Sequence, residues 1–239
     1  MKELKVLIAC EESQRVCTEF RKRGFEAYSC DLLECGGEHY DWHVMGDVLP
    51  LLNGGVDFYT MDMTSHHVER WDLIIAHPPC TYLTLAGNRW FDTAKYGKKA
   101  EQRWSDRAKS AVFFMRFVSA DCDHIAIENP IGVMSTYYKE ANQIINPYQF
   151  GDPVRKPTCL WLKNLPLLDS TNIVEYQVTE DANGNRYSGP AFHARDENGK
   201  ILAWNDPMTA KIRSRTYEGI ARAMAEQWGG FIREQSTER

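Results

Sequence analysis

No apolar run in this chain approaches the length needed to cross a bilayer, which excludes a membrane-spanning helix. The opening residues Met1-Lys2-Glu3-Leu4 carry no basic-then-apolar signal pattern, so the expectation is a cytoplasmic protein. Internal repeats and low-complexity linkers are also missing, and one domain with a small insert is the economical reading. The seven cysteines are an odd number, spread over 239 residues, a length that needs no disulfide staples. Reduced thiols follow. A basic excess is missing too: the net charge of −5 argues against a protein that coats nucleic acid. What is present is a 43% hydrophobic chain, enough for a real core.

The charge is uneven. Between Leu85 and Ser110 seven bases (Arg89, Lys95, Lys98, Lys99, Arg103, Arg107, Lys109) face three acids, a local balance of +4. Such a segment can meet phosphates, and a solvated helix face explains the same residues equally well.

Leu4 to Ala9 is a short apolar run suited to a central parallel strand. Glu11 to Arg23 reads as a helix with Val16 and Phe20 on one stripe and Gly24 ending it. Phe25 to Cys30 reads as a second strand closed by Asp31, completing a Rossmann-type opening. Residues 34–45 read as a loop, followed by Gly46-Asp47-Val48 and a short helical stretch. Glu101 to Ser119 is expected as a helix whose Trp104, Ala108, Ala111, Met115 and Val118 cover a sheet face. His124 to Ile127 and Thr158 to Leu162 are further strands. Asn183-Gly184 and Asn198-Gly199 mark two small hairpins, and a last helix spans about Tyr217 to Trp228, stopping at Gly229-Gly230. The expected fold is α/β, with a mostly parallel sheet built from 1–165 and 212–239 and a hairpin insert at 166–211.

The most informative stretch is Trp71-Asp72-Leu73-Ile74-Ile75-Ala76-His77 running into Pro78-Pro79-Cys80. It reads as a buried strand stopped by two prolines, which fix φ and offer no N–H. Cys80 then stands at the carboxyl end of a strand, where open α/β sheets bind ligands. A thiol held there is placed like a nucleophile. The plainer reading is an inert, partly buried thiol. Asp31 and Glu128 end two other strands. Glu128 also fits as a strand-end carboxylate that caps the following helix.

Order and local sequence resemble the cytosine-5 DNA methyltransferase family. Pro78-Pro79-Cys80-Thr81-Tyr82-Leu83-Thr84-Leu85-Ala86-Gly87 is similar to that family's Pro-Pro-Cys-Gln-Gly-Phe-Ser-x-Ala-Gly loop, and Glu128-Asn129-Pro130 to its Glu-Asn-Val motif. Phe150 to Leu162 resembles its Tyr-Gly-x-Pro-Gln-x-Arg stretch, most closely in small phage- or prophage-encoded members. The resemblance runs from Val6 to about Leu165. It implies a Rossmann-like S-adenosylmethionine-dependent methyltransferase fold and transfer of a methyl group to carbon 5 of cytosine through a covalent Cys80 adduct. Glu128 would hold the base and Arg155 would orient it, although Arg155 also reads as a plain surface arginine. The methyl donor is expected against Cys10, Glu11, Ser13, Asp31, Leu32, Asp47, Val48 and Pro78, with Asp31 on the ribose hydroxyls. Pro79, Thr81, Thr84, Arg89, Asn129, Pro130 and Lys156 are expected on the substrate side. The implied partner is DNA with its cytosine flipped out of the stack, the implied protein a monomer, and no metal is called for.

Two departures stand out. The family's Phe-x-Gly-x-Gly-Gly loop is replaced by Ala9-Cys10-Glu11-Glu12-Ser13-Gln14, with no glycine; Ser13 is expected to cap the helix or touch the methionine carboxylate. The stretch available for sequence readout is small, so a relaxed target preference, a single strand or free dCMP is an alternative substrate. A catalytically degenerate protein that only binds nucleic acid or S-adenosylmethionine is the non-enzymatic alternative. The amino-methyltransferases, with Pro-Pro-aromatic at the same strand end, rank lower because His77-Pro78-Pro79-Cys80 lacks the aromatic. Cys30, Cys35, His39 and His43 have zinc-like spacing, but Cys30 ends a strand and two glycines loosen the loop, so zinc ranks low.

Overall fold

Short apolar runs, buried on both faces, build a seven-stranded sheet covered by helices. The computed structural model describes residues 3–176, 178–180, 184, 186–188, 198–200, 202–203 and 206–237. The chain opens with β1 (Lys5–Ala9), α1 (Arg15–Lys22), β2 (Glu26–Asp31) and β3 (His43–Met45). A hairpin of β4 (Val56–Tyr59) and β5 (Ser65–Val68) precedes β6 (Leu73–Ala76), α2 (Thr93–Tyr96), α3 (Lys98–Val118) and β7 (Ile125–Pro130). Then come α4 (Met134–Tyr137), β8 (Gln143–Ile145), β9 (Thr158–Lys163) and the hairpin of β10 (Val178–Glu180) and β11 (Arg186–Ser188). The chain closes with α5 (Pro207–Ser214), α6 (Glu218–Ala223), a π-helical turn over Met224–Trp228, and α7 (Gly229–Thr237).

The sheet order is β3-β2-β1-β6-β7-β9-β8. The first five strands are parallel and follow the doubly wound order, with the crossover reversing between β1 and β6. Only β9 runs against its neighbours, pairing antiparallel with both β7 and β8. The fold is therefore α/β with a mostly parallel sheet, Rossmann-like in its strand order. Alternation along β1 divides the core. Val6 and Ile8 pack with Val16, Phe20, Ile220 and Trp228 on one face; Leu7 and Ala9 pack with Phe114, Phe117 and Trp161 on the other.

Several expectations shift. Helix α1 begins at Arg15, four residues later than the periodicity predicts, because Cys10 and Gln14 take positive φ values of 59° and 56°. The 34–45 loop carries β3 at its end, and the β4–β5 hairpin and β8 were not legible. The buried stripe of α3 is Ala100, Arg107, Phe114 and Phe117, leaving Trp104 and Met115 partly exposed. The two phenylalanines bury more area than the expected set, and Arg107 is drawn inward by the Tyr82 carbonyl, to which its Nε donates at 2.7 Å. The C-terminal helix does not stop at Gly229-Gly230. Gly229 lies inside a buried turn, where a β-carbon would stand 2.8 Å from Phe25 Cζ, so it serves close packing and not termination.

Leu168 sits in the core and Val174 N–H donates to the Tyr148 carbonyl at 2.9 Å, so residues 166–174 pack on the sheet domain. At the other end α5 runs across the expected 211/212 boundary. The first hairpin turn, at Asn183-Gly184, falls between β10 and β11. The second falls mostly on residues outside those described; Asn198–Lys200 are described and form no strand.

Candidate active site

Two loops leave neighbouring strands at the same sheet edge. After β6 the chain runs His77-Pro78-Pro79-Cys80, and β7 ends in Glu128-Asn129-Pro130 before running on through Ile131-Gly132. They are joined by hydrogen bonds. Asn129 Nδ2 donates to the Pro78 carbonyl at 2.7 Å, Val133 N–H to Leu83 O at 2.8 Å, and Leu85 N–H to Ile131 O at 3.3 Å. Gly132 lies against this seam, where a β-carbon would strike the Leu83 carbonyl oxygen. Asn129 is thus buried and spent on holding the Cys80 loop, with its Oδ1 unpartnered, while Pro130 closes β7 opposite Thr158. Cys80 itself is half-buried, and its carbonyl accepts from Leu83 and Thr84 N–H groups.

Glu128 precedes Asn129, and its charge acts on the Cys80 thiol. Burial pushes that thiol above its ordinary value; Lys156 pulls it down, Glu128 adds to the rise, and Arg213 pulls down again. Burial wins. The thiol of the free protein is therefore held above its ordinary value. Burial alone would also raise Glu128, yet His77 and Lys156 outweigh it and hold the carboxyl below its usual range. His77 Nδ1 stands 3.1 Å from Glu128 Oε2.

Lys156, just ahead of β9, is the cation that acts on both Cys80 and Glu128, and its Nζ donates to Arg213 O at 2.9 Å. Arg155, one residue earlier, is exposed. Both residues lie in the irregular segment ahead of β9, whose own Thr158–Leu162 are all buried; β9 is antiparallel to β7, so that segment arrives at the site edge. Pro78, expected against the methyl donor, is buried; on the remaining substrate side Pro79 and Thr81 are exposed, and Thr84 Oγ1 accepts from Ala86 N–H at 3.4 Å, opening a short helical stretch, Leu85–Phe91. Arg89 is exposed and lies over the Trp90 ring at 4.9 Å. Arg107 bonds Asn88 Oδ1 at 2.7 Å, so part of the basic segment is scaffold for this shelf.

The neighbouring corner, at the ends of β1, β2 and β3, gathers Cys10, Asp31 and Asp47. Burial raises the Cys10 thiol, and the Asp31 and Asp47 charges add to it; the same two acids act on Cys30, pushed up to about 12 chiefly by burial. Asp31 Oδ1 accepts from Leu33 N–H at 2.9 Å and Asp47 Oδ1 from Leu49 N–H at 3.0 Å. Leu32 is exposed beside Asp31, and Val48 is buried in the core below.

Glu11 is directed elsewhere. Its carboxylate accepts from Val16 N–H at 2.7 Å and Cys17 N–H at 3.1 Å, capping α1 from outside the helix. No side chain at the N-cap position itself makes that bond, so Ser13 is not the cap. Glu12 is buried, both oxygens lack a hydrogen-bond partner, and Lys211 and Arg215 stand 3.7 and 4.0 Å away. The missing glycines of this loop reappear across from it: a β-carbon at Gly36 would strike the Glu12 carboxylate and one at Gly37 the Gln14 side chain. His77, Glu12, Arg213 and α5 as a whole were not singled out from sequence. Asp206 before Pro207 is a helix-start signal that would have found α5; its carboxylate accepts from Met208 N–H at 2.8 Å.

Two cavities of about 220 and 190 Å³ lie away from this site, one against Trp161 and Tyr138, the other at the opposite sheet edge near Leu4 and Ile232. Among the described residues no three His, Cys, Asp or Glu are grouped to hold a metal ion, and none of the helices is long and apolar enough to cross a membrane. His43 bonds Ser29 Oγ at 2.8 Å and Leu33 O at 3.0 Å.

No protein-family model and no curated protein matches the chain. Among solved structures it is similar to a provisionally assigned DNA modification methyltransferase encoded within a prophage in E. coli, at 14% identity and a TM-score of 0.41, covering 72% of this chain and 52% of that one. It is also similar to WbdD, solved with a kinase inhibitor, at 12% identity and a TM-score of 0.32, covering 78% of this chain and 42% of that one. The chain thus spans about half or less of these structures, and the fold assignment rests on its own strand order.

Proposed function

We propose that this chain is an S-adenosylmethionine-dependent DNA methyltransferase acting at carbon 5 of cytosine, with Cys80 as the nucleophile. One observation carries the reading: a thiol on the loop after β6 and a carboxylate near the end of β7 are bonded into one block, with a shared cation, Lys156, acting on both. Cytosine carbon 5 is a weak nucleophile until a thiolate adds at carbon 6. Cys80 supplies that sulfur, and Glu128 holds the ring nitrogen and exocyclic amine. Lys156 offsets the negative charge that forms when the thiol ionises.

The corner at β1, β2 and β3 fits the methyl donor. Asp31 and Asp47 bring acceptors for ribose hydroxyls and an adenine amine, Leu32 offers apolar surface, and the unpartnered Glu12 oxygens suit an ammonium group. When bound there, the donor supplies an electrophilic methyl group to the activated base. Glu11 is engaged with the first N–H groups of α1, and Ser13, which is not that cap, is left for the methionine carboxylate.

DNA is the substrate in this reading, with the target cytosine flipped out of a duplex and the basic shelf 85–110 meeting phosphates. Incubation with S-adenosylmethionine and an oligonucleotide carrying 5-fluorocytosine is expected to trap a covalent protein–DNA adduct, since fluorine cannot leave as a proton. Duplex, single strand and fluorinated dCMP compared side by side assign the substrate. No adduct on any of the three, with donor binding shown by calorimetry, rejects the covalent mechanism.

A further inference from the structure

His77 ends the buried run before the double proline, and nothing above gives it work. Its ring sits where three strand ends meet. Nδ1 lies 3.1 Å from Glu128 Oε2 as an ion-pair contact, and both that oxygen and the ring's Nε2 are buried without a hydrogen-bond partner. The charges facing the ring are Glu128 from β7, Glu11 from the exit of β1, and Lys156 from the segment ahead of β9. Burial opposes the proton, but Glu128 and Glu11 outweigh burial and raise the ring above its ordinary value. Glu128 is correspondingly ionised. The pair thus holds one proton, and it resides on the ring.

That distribution matters for the chemistry. When Cys80 adds to cytosine, nitrogen 3 needs a proton, and an ionised Glu128 has none of its own to give. We propose that His77 is a positioning residue that stores the proton Glu128 delivers to nitrogen 3 as Cys80 adds to carbon 6. This deepens the cytosine-5 reading and rests on it. In the step, Cys80 first loses its thiol proton to solvent; the thiolate lone pair then forms the bond to carbon 6 and the C5–C6 π pair moves to C4–C5. The C4–N3 π pair moves onto nitrogen 3, which takes the proton that the Glu128 carboxylate relays from His77 Nδ1–H. Reversal of the addition returns the proton to the ring, so the pair ends as it began.

The addition is reversible without a methyl donor and makes the carbon-5 hydrogen exchangeable, so deuterium uptake into cytosine of a short DNA reads it directly. The competent form needs a Cys80 thiolate and a His77 imidazolium together. Wild type is therefore expected to give a bell-shaped pH profile. His77→Asn keeps a donor near Glu128 but cannot titrate. It is expected to exchange about 10²-fold more slowly and to lose the descending limb, rising monotonically with pH. A bell of unchanged shape in His77→Asn overturns the inference and leaves the cytosine-5 reading intact. No exchange by wild type on any DNA overturns both. Should His77→Asn fail to fold, ring NMR of the wild type and Glu128→Gln tests the pairing. The His77 midpoint is expected to fall by about one pH unit in Glu128→Gln, and an unmoved midpoint overturns the proposal.

Discussion

Strands β1 and β6 lie side by side and leave the sheet at the same edge, yet their exits are stabilised in different ways. The β1 exit turns through two non-glycine residues with positive φ, Cys10 and Gln14; its Glu11 caps the helix that the same loop starts, while the Glu12 carbonyl accepts from Gly36 N–H and the Gln14 side chain bonds the His39 backbone. The β6 exit is stiffened by Pro78-Pro79 and held from outside, by Asn129 and the backbone seam to the β7 exit. The first loop serves its own helix and the loop after β2. The second serves its neighbour, and that is why the thiol and the carboxylate keep a fixed relation.

Cys80→Ser breaks the comparison most sharply. It is expected to reduce methyl transfer at least about 10³-fold while donor affinity, a property of the β1 corner, stays unchanged by calorimetry. Next in size is the cation. Lys156→Ala is expected to slow adduct formation about tenfold at neutral pH by raising the thiol further, and the exposed Arg155→Ala less than twofold; equal effects would return the role to Arg155. Glu11→Ala tests the first loop. Loss of both cap bonds is expected to cost about 1–2 kcal/mol in chemical denaturation, with Ser13→Ala near zero.

The smallest effect is a pH dependence. His77 is raised, so its contribution is whole below its ordinary 6.5 and is lost as pH climbs through the folded value. Glu128 is lowered, so its contribution is whole above 4.5 and is lost as pH falls through the folded value. The melting-temperature advantage of wild type over His77→Asn is therefore expected to be greatest between those values and to shrink toward alkaline pH. An advantage that grows there contradicts the pairing.

Much of the scaffold was legible because buried parallel strands are short apolar runs: Val6–Ala9 and Leu73–Ala76 show as such, and β2 is marked by the Gly24 helix stop before it and Asp31 at its end. The strands too short to show periodicity were not, β3 and β8 having three residues each. At the site, residue type located Cys80, Glu128 and Asp31 at strand ends, but direction is not written in residue type. A glutamate at a strand end can face a ligand or bend back to a helix, and Glu11 bends back. The choice between Arg155 and Lys156 depends on the path of the short irregular segment ahead of β9, which residue type does not reveal. His77 looked like the tail of an apolar run; only the folded chain sets it between two acids.

The reversal of β9 has a consequence for the rest of the chain. Its first residue enters beside Pro130, so Lys163 leaves at the far rim, roughly 20 Å from where it came in. Asn164 is tied there to the Asp123 carbonyl, yet Arg213 acts on Cys80 at the near rim. Residues 164–206 therefore form a return route, already anchored partway where Asn172 and Val174 run beside Gln149 and Tyr148. Deletions in that route shorten a tether, and beyond some length they would pull α5 off the thiol without touching either.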